Sequence, residues 1–341
     1  MIAVATRTST ERTSTETRAP EGAAQAVSRT TRDRLRLAGP SVVLVALVLL
    51  VALAEPNFLS MNALAVVSAQ AVPILLLGLG QMFVILTGGI DLSVAALASL
   101  ATVILATVIG SLGPLAVVVT LVALTLIGAL TGLLIVFGQV PSFVVSLGAL
   151  GFWGAVALVA SGSTTIYISE GYDAIFWLSS WTVLGLPMAV WAAVAAVAAV
   201  FGAMRFSPRG NVFHLVGLGE KAAMMSGVRT RIVRIGAFAL SGFFAGAAGV
   251  VLSAQQQSAA PQLADSLLLP AIAAVLVGGC AITGGIGGAW RVLVGALVVT
   301  VLRVGGSVAG IDPSFQQIVY GAVVIVAVAV TLDRSRLSII K

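Results

Sequence analysis

Long apolar runs follow one another with few charges between them from about residue 38 to residue 332, and this succession decides what the chain can become. Each run reaches roughly 17 residues or more, close to the ~20 that a helix needs to cross the hydrocarbon of a bilayer. A soluble core cannot absorb so many in series. A barrel would need alternation within each strand, which is absent here. With 59% hydrophobic and only 9% charged residues, the chain reads as an all-α, polytopic membrane protein.

The net charge of +6 suggests nucleic acid less than it suggests topology. All of the 18 Lys and Arg except Arg291 and Arg303 lie in three places: residues 7–36, 205–234 and 334–341. Basic clusters flanking apolar spans mark the cytoplasmic side. Residues 1–36 lack apolar periodicity and read as a disordered cytoplasmic tail. The transmembrane domain follows at 37–333, with a cytoplasmic loop at 205–234, and 334–341 forms a C-terminal cytoplasmic tail. Ala52-Leu53-Ala54 has the form of a signal cleavage site, but the polar lead is too long, and removal would put the two remaining basic clusters outside.

Ten spans are expected, at about 38–54, 62–88, 92–109, 115–137, 142–160, 182–204, 234–253, 267–282, 287–304 and 314–332. Pro73 is expected to break the second, leaving 61–71 as an interfacial or discontinuous piece. Even numbers of spans between the basic clusters put both termini in the cytoplasm. Glu55, Glu170, Asp173, Asp265 and Asp312 then fall outside, with Arg303 the one basic residue out of place. The external loop 161–180 carries a short helix near 174–178. Gly128-x-x-x-Gly132 and Gly242-x-x-x-Gly246 are spacings that let helices approach closely.

The stretch from Gly80 to Val94 contains Gln81, then Thr87-Gly88-Gly89-Ile90-Asp91-Leu92-Ser93. It reads as helix, break, helix. The glycines free the backbone from helical dihedrals, and an acid beside lipid raises a functional question. Two readings of Asp91 stay open: a cap for the next helix, shared with Ser93, or a charge used in coupling. Thr283-Gly284-Gly285-Ile286 repeats the break motif on the same side, as either an internal-repeat trace or coincidence. Gln70, Gln81, Ser93 and Ser146 are candidate pathway groups.

Chemistry on the chain itself is not indicated. There is no Gly-x-x-x-x-Gly-Lys loop for ATP. The single Cys280 and single His214 provide no metal site and no nucleophile–base pair. Gly217-Leu218-Gly219-Glu220-Lys221-Ala222-Ala223-Met224-Met225-Ser226-Gly227-Val228 is a short helix-forming stretch in the basic loop. It is either an ordinary loop helix or one gripped by a soluble partner, with Ala222 and Met225 as its apolar face.

Residues 85–94, Ile-Leu-Thr-Gly-Gly-Ile-Asp-Leu-Ser-Val, closely resemble a signature of the ribose/xylose/galactoside permease subunits of bacterial ABC importers. Further blocks match: Val140-Pro141-Ser142-Phe143 with Ser146-Leu147-Gly148, Gly210, the 217–227 stretch, Ile272-Ala273-Ala274-Val275, Gly278-Gly279, and Gln316-Gln317-Ile318-Val319. The resemblance runs from about residue 57 to 332. It departs from the family at Asn211, Gly219, Met224 and Leu268-Leu269-Pro270.

The resemblance implies a permease for a monosaccharide or similar small polar solute in the inner (plasma) membrane. It implies a homodimer, a cytoplasmic ATP-binding-cassette ATPase holding ATP and magnesium, and an extracytoplasmic solute-binding protein, with no cofactor on this chain. It also implies ATPase contact at Gly217, Glu220, Lys221, Ala222, Ala223, Ser226 and Gly227. Gly88, Gly89, Asp91, Ser93, Gln81, Thr283, Gly284 and Gly285 are the helix-break and pathway candidates. The alternatives are an ion-coupled secondary carrier and a branched-chain amino-acid permease; the latter should lack the Gly-Gly-Ile-Asp-Leu-Ser block.

Overall fold

A computed structural model describes residues 21–207, 210–308 and 310–331. The expected tail at 334–341 and the first twenty residues of the N-terminal tail lie outside the described residues. Backbone from residue 21 is helical and opens α1 (Glu21–Ala54), so the tail 1–36 is not irregular throughout. Ala23, Ala24 and Ala26 are strong helix formers, and a helix can form there without burying a core. Residues 1–39 and 40–341 separate as two units, and every helix after α1 belongs to the second.

Helices α2 (Met61–Leu86), α3 (Val94–Leu112), α4 (Leu115–Gly138) and α5 (Ser142–Ala160) come first. The short α6 (Asp173–Ser180) precedes α7 (Met188–Phe206), and the short α8 (Asn211–Leu218) and α9 (Glu220–Met225) precede α10 (Thr230–Gln256). Then come α11 (Leu268–Val277), α12 (Ala289–Val308) and α13 (Pro313–Thr331). Two-residue strands β1 (Ile166–Tyr167) and β4 (Ser258–Ala259) pair antiparallel, as do β2 (Thr182–Val183) and β3 (Leu186–Pro187).

Seven of these helices, α2, α3, α4, α5, α7, α10 and α12, are long and apolar enough to cross a membrane. Shorter apolar helices cover Ala38–Ala54, Asp265–Val277 and Phe315–Ile325, at the places expected for spans one, eight and ten. The chain is a polytopic helical membrane protein. Helices α2 and α10 sit at its centre: α10 packs against α2, α3 and α4, α2 also against α11 and α12, and α3 lies between α10, α4 and α5. Large apolar side chains on α4 such as Leu126 and Phe137 point outward, where lipid would meet them.

The structure differs from the sequence reading at three places within this frame. Helix α2 is continuous through Pro73. A proline removes its own N–H, which orphans the carbonyl four residues earlier. That carbonyl belongs to Ala69, and the Gln255 side chain of α10 donates to it at 2.9 Å. The partner lies 186 residues away, so local sequence could not reveal it. Span six starts at Met188 rather than near Thr182, because Leu184 (φ 52°) and Gly185 (φ 78°) make a tight turn between β2 and β3. Both residues hold the left-handed conformations that two-residue hairpin turns require.

Span eight is only partly helical. At 10 residues and ~1.5 Å per residue, α11 covers about half of a hydrocarbon core. Before it, β4 and a 3-10 turn at Asp265–Leu267 are joined by residues 260–264, which pack along α3.

The two glycine spacings bring their helices together, as expected. Helices α4 and α10 meet through glycines: a Cβ added at Gly128 would overlap Phe238 O, and one at Gly242 would overlap Leu124 O. Gly132 faces the Ile235 backbone in the same seam. Without a hydrophobic drive between helices in lipid, such backbone approach supplies dispersion contacts that larger residues would prevent.

Candidate functional site

The break after α2 is built from one acid, one amide and four serine hydroxyls. Gly88 takes φ 78°, which turns the chain back on itself at the end of α2. Asp91 returns inward to 1% exposure. Its Oδ1 accepts from Ser93 N–H at 2.9 Å and Ser93 Oγ at 2.6 Å, and its Oδ2 accepts from Ser241 Oγ of α10 at 2.7 Å. The Gln81 amide, oriented to satisfy both of its ends, donates to the Asp91 carbonyl at 2.9 Å and accepts from Asp91 N–H at 3.3 Å. From α5, Ser142 Oγ accepts the Ile90 N–H at 3.1 Å and Ser146 Oγ donates to the Ile90 carbonyl at 3.2 Å.

This arrangement corrects one expectation. Neither Asp91 nor Ser93 caps α3 in the usual way: Asp91 bonds Ser93, and the Ser93 side chain makes no bond to the α3 N-terminus. Gln81, Ser93 and Ser146 are fully buried within the chain, where they hold the break. Gln70 alone of those four is exposed. Sequence reasoning misses the parts that Ser142 and Ser241 play here. Their signal, an isolated hydroxyl in an apolar run, is common and therefore uninformative.

The hydroxyl of Ser241 can turn to accept as well as donate, so Asp91→Asn keeps the Oδ1 pair and reverses the third bond. Asp91→Asn is expected to retain more than half of wild-type uptake at unchanged protein level. Asp91→Leu orphans the Ser93 N–H and two hydroxyls, with a stability loss of about 2 kcal/mol and severe loss of uptake. Equal, complete loss in both variants at normal protein level would mean that the charge itself is required.

The second Thr-Gly-Gly-Ile block lies against the first. Gly285 N–H donates to the Leu86 carbonyl at 3.0 Å, and a Cβ on Gly284 would meet Gly88 N at 3.0 Å. Gly284 (φ 91°) and Gly285 (φ 77°) both take left-handed conformations. Helix α8, in the basic loop, closes the joint. A Cβ on Gly217 would overlap both Leu86 O and Gly285 N, and His214 Nδ1 lies 3.1 Å from the Gly285 carbonyl. That carbonyl can only accept, so Nδ1 carries the proton. Phe213 packs edge-on against Phe83 of α2, ring centroids 5.1 Å apart.

The loop helix α9 continues from this joint. Glu220 pairs with Arg234 of α10 at 2.8 Å. Lys221, Ala222, Ser226 and Gly227 are exposed, and Met225 is 91% exposed. Ala223 does not belong with them: at 4% exposure it packs into its own chain, because it sits on the face of α9 opposite Met225. An open cavity of about 460 Å³ beside α9 is lined by Gln139, Glu220, Met224, Arg231 and Arg234. The structure thus brings Gly88, Gly89, Asp91, Ser93, Gln81, Thr283, Gly284, Gly285 and Gly217 into one joint. It leaves the other loop residues on the surface beside it.

A model of the family described as "branched-chain amino acid transport system / permease component" matches residues 63–328. A ribose import permease protein of Bacillus subtilis is 32% identical over 302 residues, covering 87% of this chain and 92% of that protein. A probable ABC transporter permease protein of Escherichia coli K12 is 33% identical, covering 91% of this chain and 93% of the relative. The D-allose transport system permease protein of the same strain is 27% identical over 83% of this chain and 86% of its own length. No solved structure matches.

Proposed function

The chain belongs to the branched-chain amino acid transport system / permease component family, and from that premise we propose that it is the membrane-spanning subunit of an ABC importer that carries a monosaccharide into the cell. The observation that carries the reading is near end-to-end similarity to a ribose import permease, 87% of one chain against 92% of the other. The allose permease is similar over a comparable share, which favours a sugar over a branched-chain amino acid. An ion-coupled carrier has less support, since both oxygens of the buried acid at the break are already hydrogen-bonded by hydroxyls of the same chain rather than open to an ion.

In this reading the chain is not itself an enzyme and binds no cofactor. A separate ATPase subunit holds ATP and magnesium on the cytoplasmic face, and a solute-binding protein delivers the sugar from outside. Two copies of the chain form the pathway in the inner membrane. The joint explains how the ATPase would act at a distance. A push on exposed α9 is passed along a short backbone link to Gly217. Gly217 sits against the end of α2 at Leu86 and the turn at Gly285 at once, and the Glu220–Arg234 pair passes the push to α10. Tightly packed, two-state elements of this kind transmit small displacements because they cannot deform continuously.

The test is uptake of labelled pentoses and hexoses into proteoliposomes holding the chain with its co-expressed ATPase and binding protein. Uptake should require internal ATP and persist when ion gradients are collapsed. Uptake driven by a gradient without ATP would overturn the reading in favour of a secondary carrier.

A further inference from the structure

The segment between α10 and α11 carries polar side chains alongside α3, and its backbone is pinned to that helix. Ser99 Oγ accepts the Ala264 N–H at 3.0 Å and donates to Asp265 Oδ1 at 3.1 Å, and Thr102 Oγ1, which donates to the Ser99 carbonyl at 2.7 Å, lies 3.4 Å from the Ala260 carbonyl. Ser99 and Thr102 are themselves fully buried. Their level can be read from α10, where Gly249 faces Ala98 O and Thr102 N. Gly249 stands seven residues before the outer end of α10 at Gln256, so Asp265 lies ~10 Å inside that end. Gln262, Asp265 and Ser266 are nevertheless exposed.

A charge facing hydrocarbon is costly, and intramembrane acids face a bundle interior or a water-filled cavity. Non-helical backbone at such depth is tolerated only where protein buries it or water lines it. Ser99 holds one carboxylate oxygen at a fixed position while the side chain stays exposed, so the acid is positioned rather than floating. We propose that segment 262–266 lines the water-filled outer half of the translocation pathway, and that Asp265, with Gln262 and Ser266, accepts and donates hydrogen bonds to the hydroxyls of the passing sugar.

This rests on the reading of the chain as a sugar importer, and it adds the site. A carboxylate is a strong acceptor for sugar hydroxyls. An amide and a hydroxyl offer both donors and acceptors. A few exposed contacts suit a site that must release its solute as well as take it.

Two measurements separate the parts. In inverted and right-side-out vesicles of the full chain, Gln262→Cys and Ser266→Cys are each exposed to a charged, membrane-impermeant maleimide. Cys280 is fully buried, so the parent chain serves as the blank, and Leu126→Cys on the outer face of α4 is the lipid-facing control. Both test positions should label from outside and Leu126→Cys should not. If neither test position labels from either side, the segment faces lipid or a partner copy and the pathway assignment fails.

In the reconstituted complex, Asp265→Asn should raise KM for sugar uptake roughly tenfold with little change in kcat and with ATPase co-purification retained. Labelling with KM unchanged in both Asp265→Asn and Asp265→Leu would leave a wet vestibule and overturn the sugar contact. If the wild-type complex takes up no pentose or hexose, the substrate reading fails and the sugar contact with it, whatever the labelling shows.

Discussion

Gly217→Val is expected to abolish uptake and sharply reduce the folded protein recovered in detergent. Its added carbons would occupy the positions of the Leu86 carbonyl and the Gly285 amide, both backbone atoms that cannot swing aside. Those two groups are also hydrogen-bonded to each other, so relief would mean breaking the bond that joins the two glycine breaks. Overpacking commonly costs 1–3 kcal/mol and more where backbone must shift, so about 3 kcal/mol or more is expected here. The control lies two residues away. Gly219 has extended backbone, φ 176°, and a Cβ there would meet only Ala222 Cβ at 3.8 Å. Gly219→Ala should therefore leave melting temperature and uptake unchanged. Wild-type melting and uptake in Gly217→Val would show that α8 does not bear on the joint.

Met225→Asp should leave the chain fully folded and yet abolish both ATPase co-purification and uptake. At 91% exposure Met225 gives up nothing within the chain. A charge driven into a partner's apolar groove is costly unless it finds a counter-charge, and a few buried side chains carry most of such binding energy. Ala222→Asp, also on the exposed side, should act in the same direction. Ala223→Asp should differ in kind: because Ala223 is buried in its own chain, the variant should lose stability before any partner is added. Melting curves with and without the ATPase distinguish the two patterns. Full ATPase retention in Met225→Asp would move the docking surface elsewhere.

Most helices were legible because a bilayer imposes one simple rule, a long apolar run, and the chain obeys it almost throughout. Boundaries failed where a side chain distant in sequence decides the matter. Pro73 looked like a break because the donor that satisfies the carbonyl it orphans, Gln255, is on another helix. The packing of the segment before α11 was hidden for a related reason. Its acid and polar residues read as a plain loop, and only the Ser99 hydroxyl, distant in sequence, shows that it lies along α3.

At the break, the glycines and Asp91 stood out as a rule-breaking patch in an apolar chain, and they do sit at one joint. Which residues hold that joint was not legible, since Ser142, Ser146 and Ser241 are ordinary residues until the fold brings them to Ile90 and Asp91. The repeated Thr-Gly-Gly-Ile gained meaning only from contact: four residues in a glycine-rich chain are weak as pattern, but Gly284 lies against Gly88.

The glycine seam between α4 and α10 limits which motions the protein can use. Carbonyls of Phe238 and Leu124 occupy the space that any side chain at Gly128 or Gly242 would need. Sliding one helix past the other by a single residue, ~1.5 Å, would drive the Cβ of a neighbouring residue into those oxygens. The two helices are therefore geared together and travel as one rigid bar. Rocking is left to the parts that meet that bar through hydroxyls and bare turns, namely the glycine joint at one end and the half-helix α11 beyond it. A solute on its way in would see one fixed wall and one that swings.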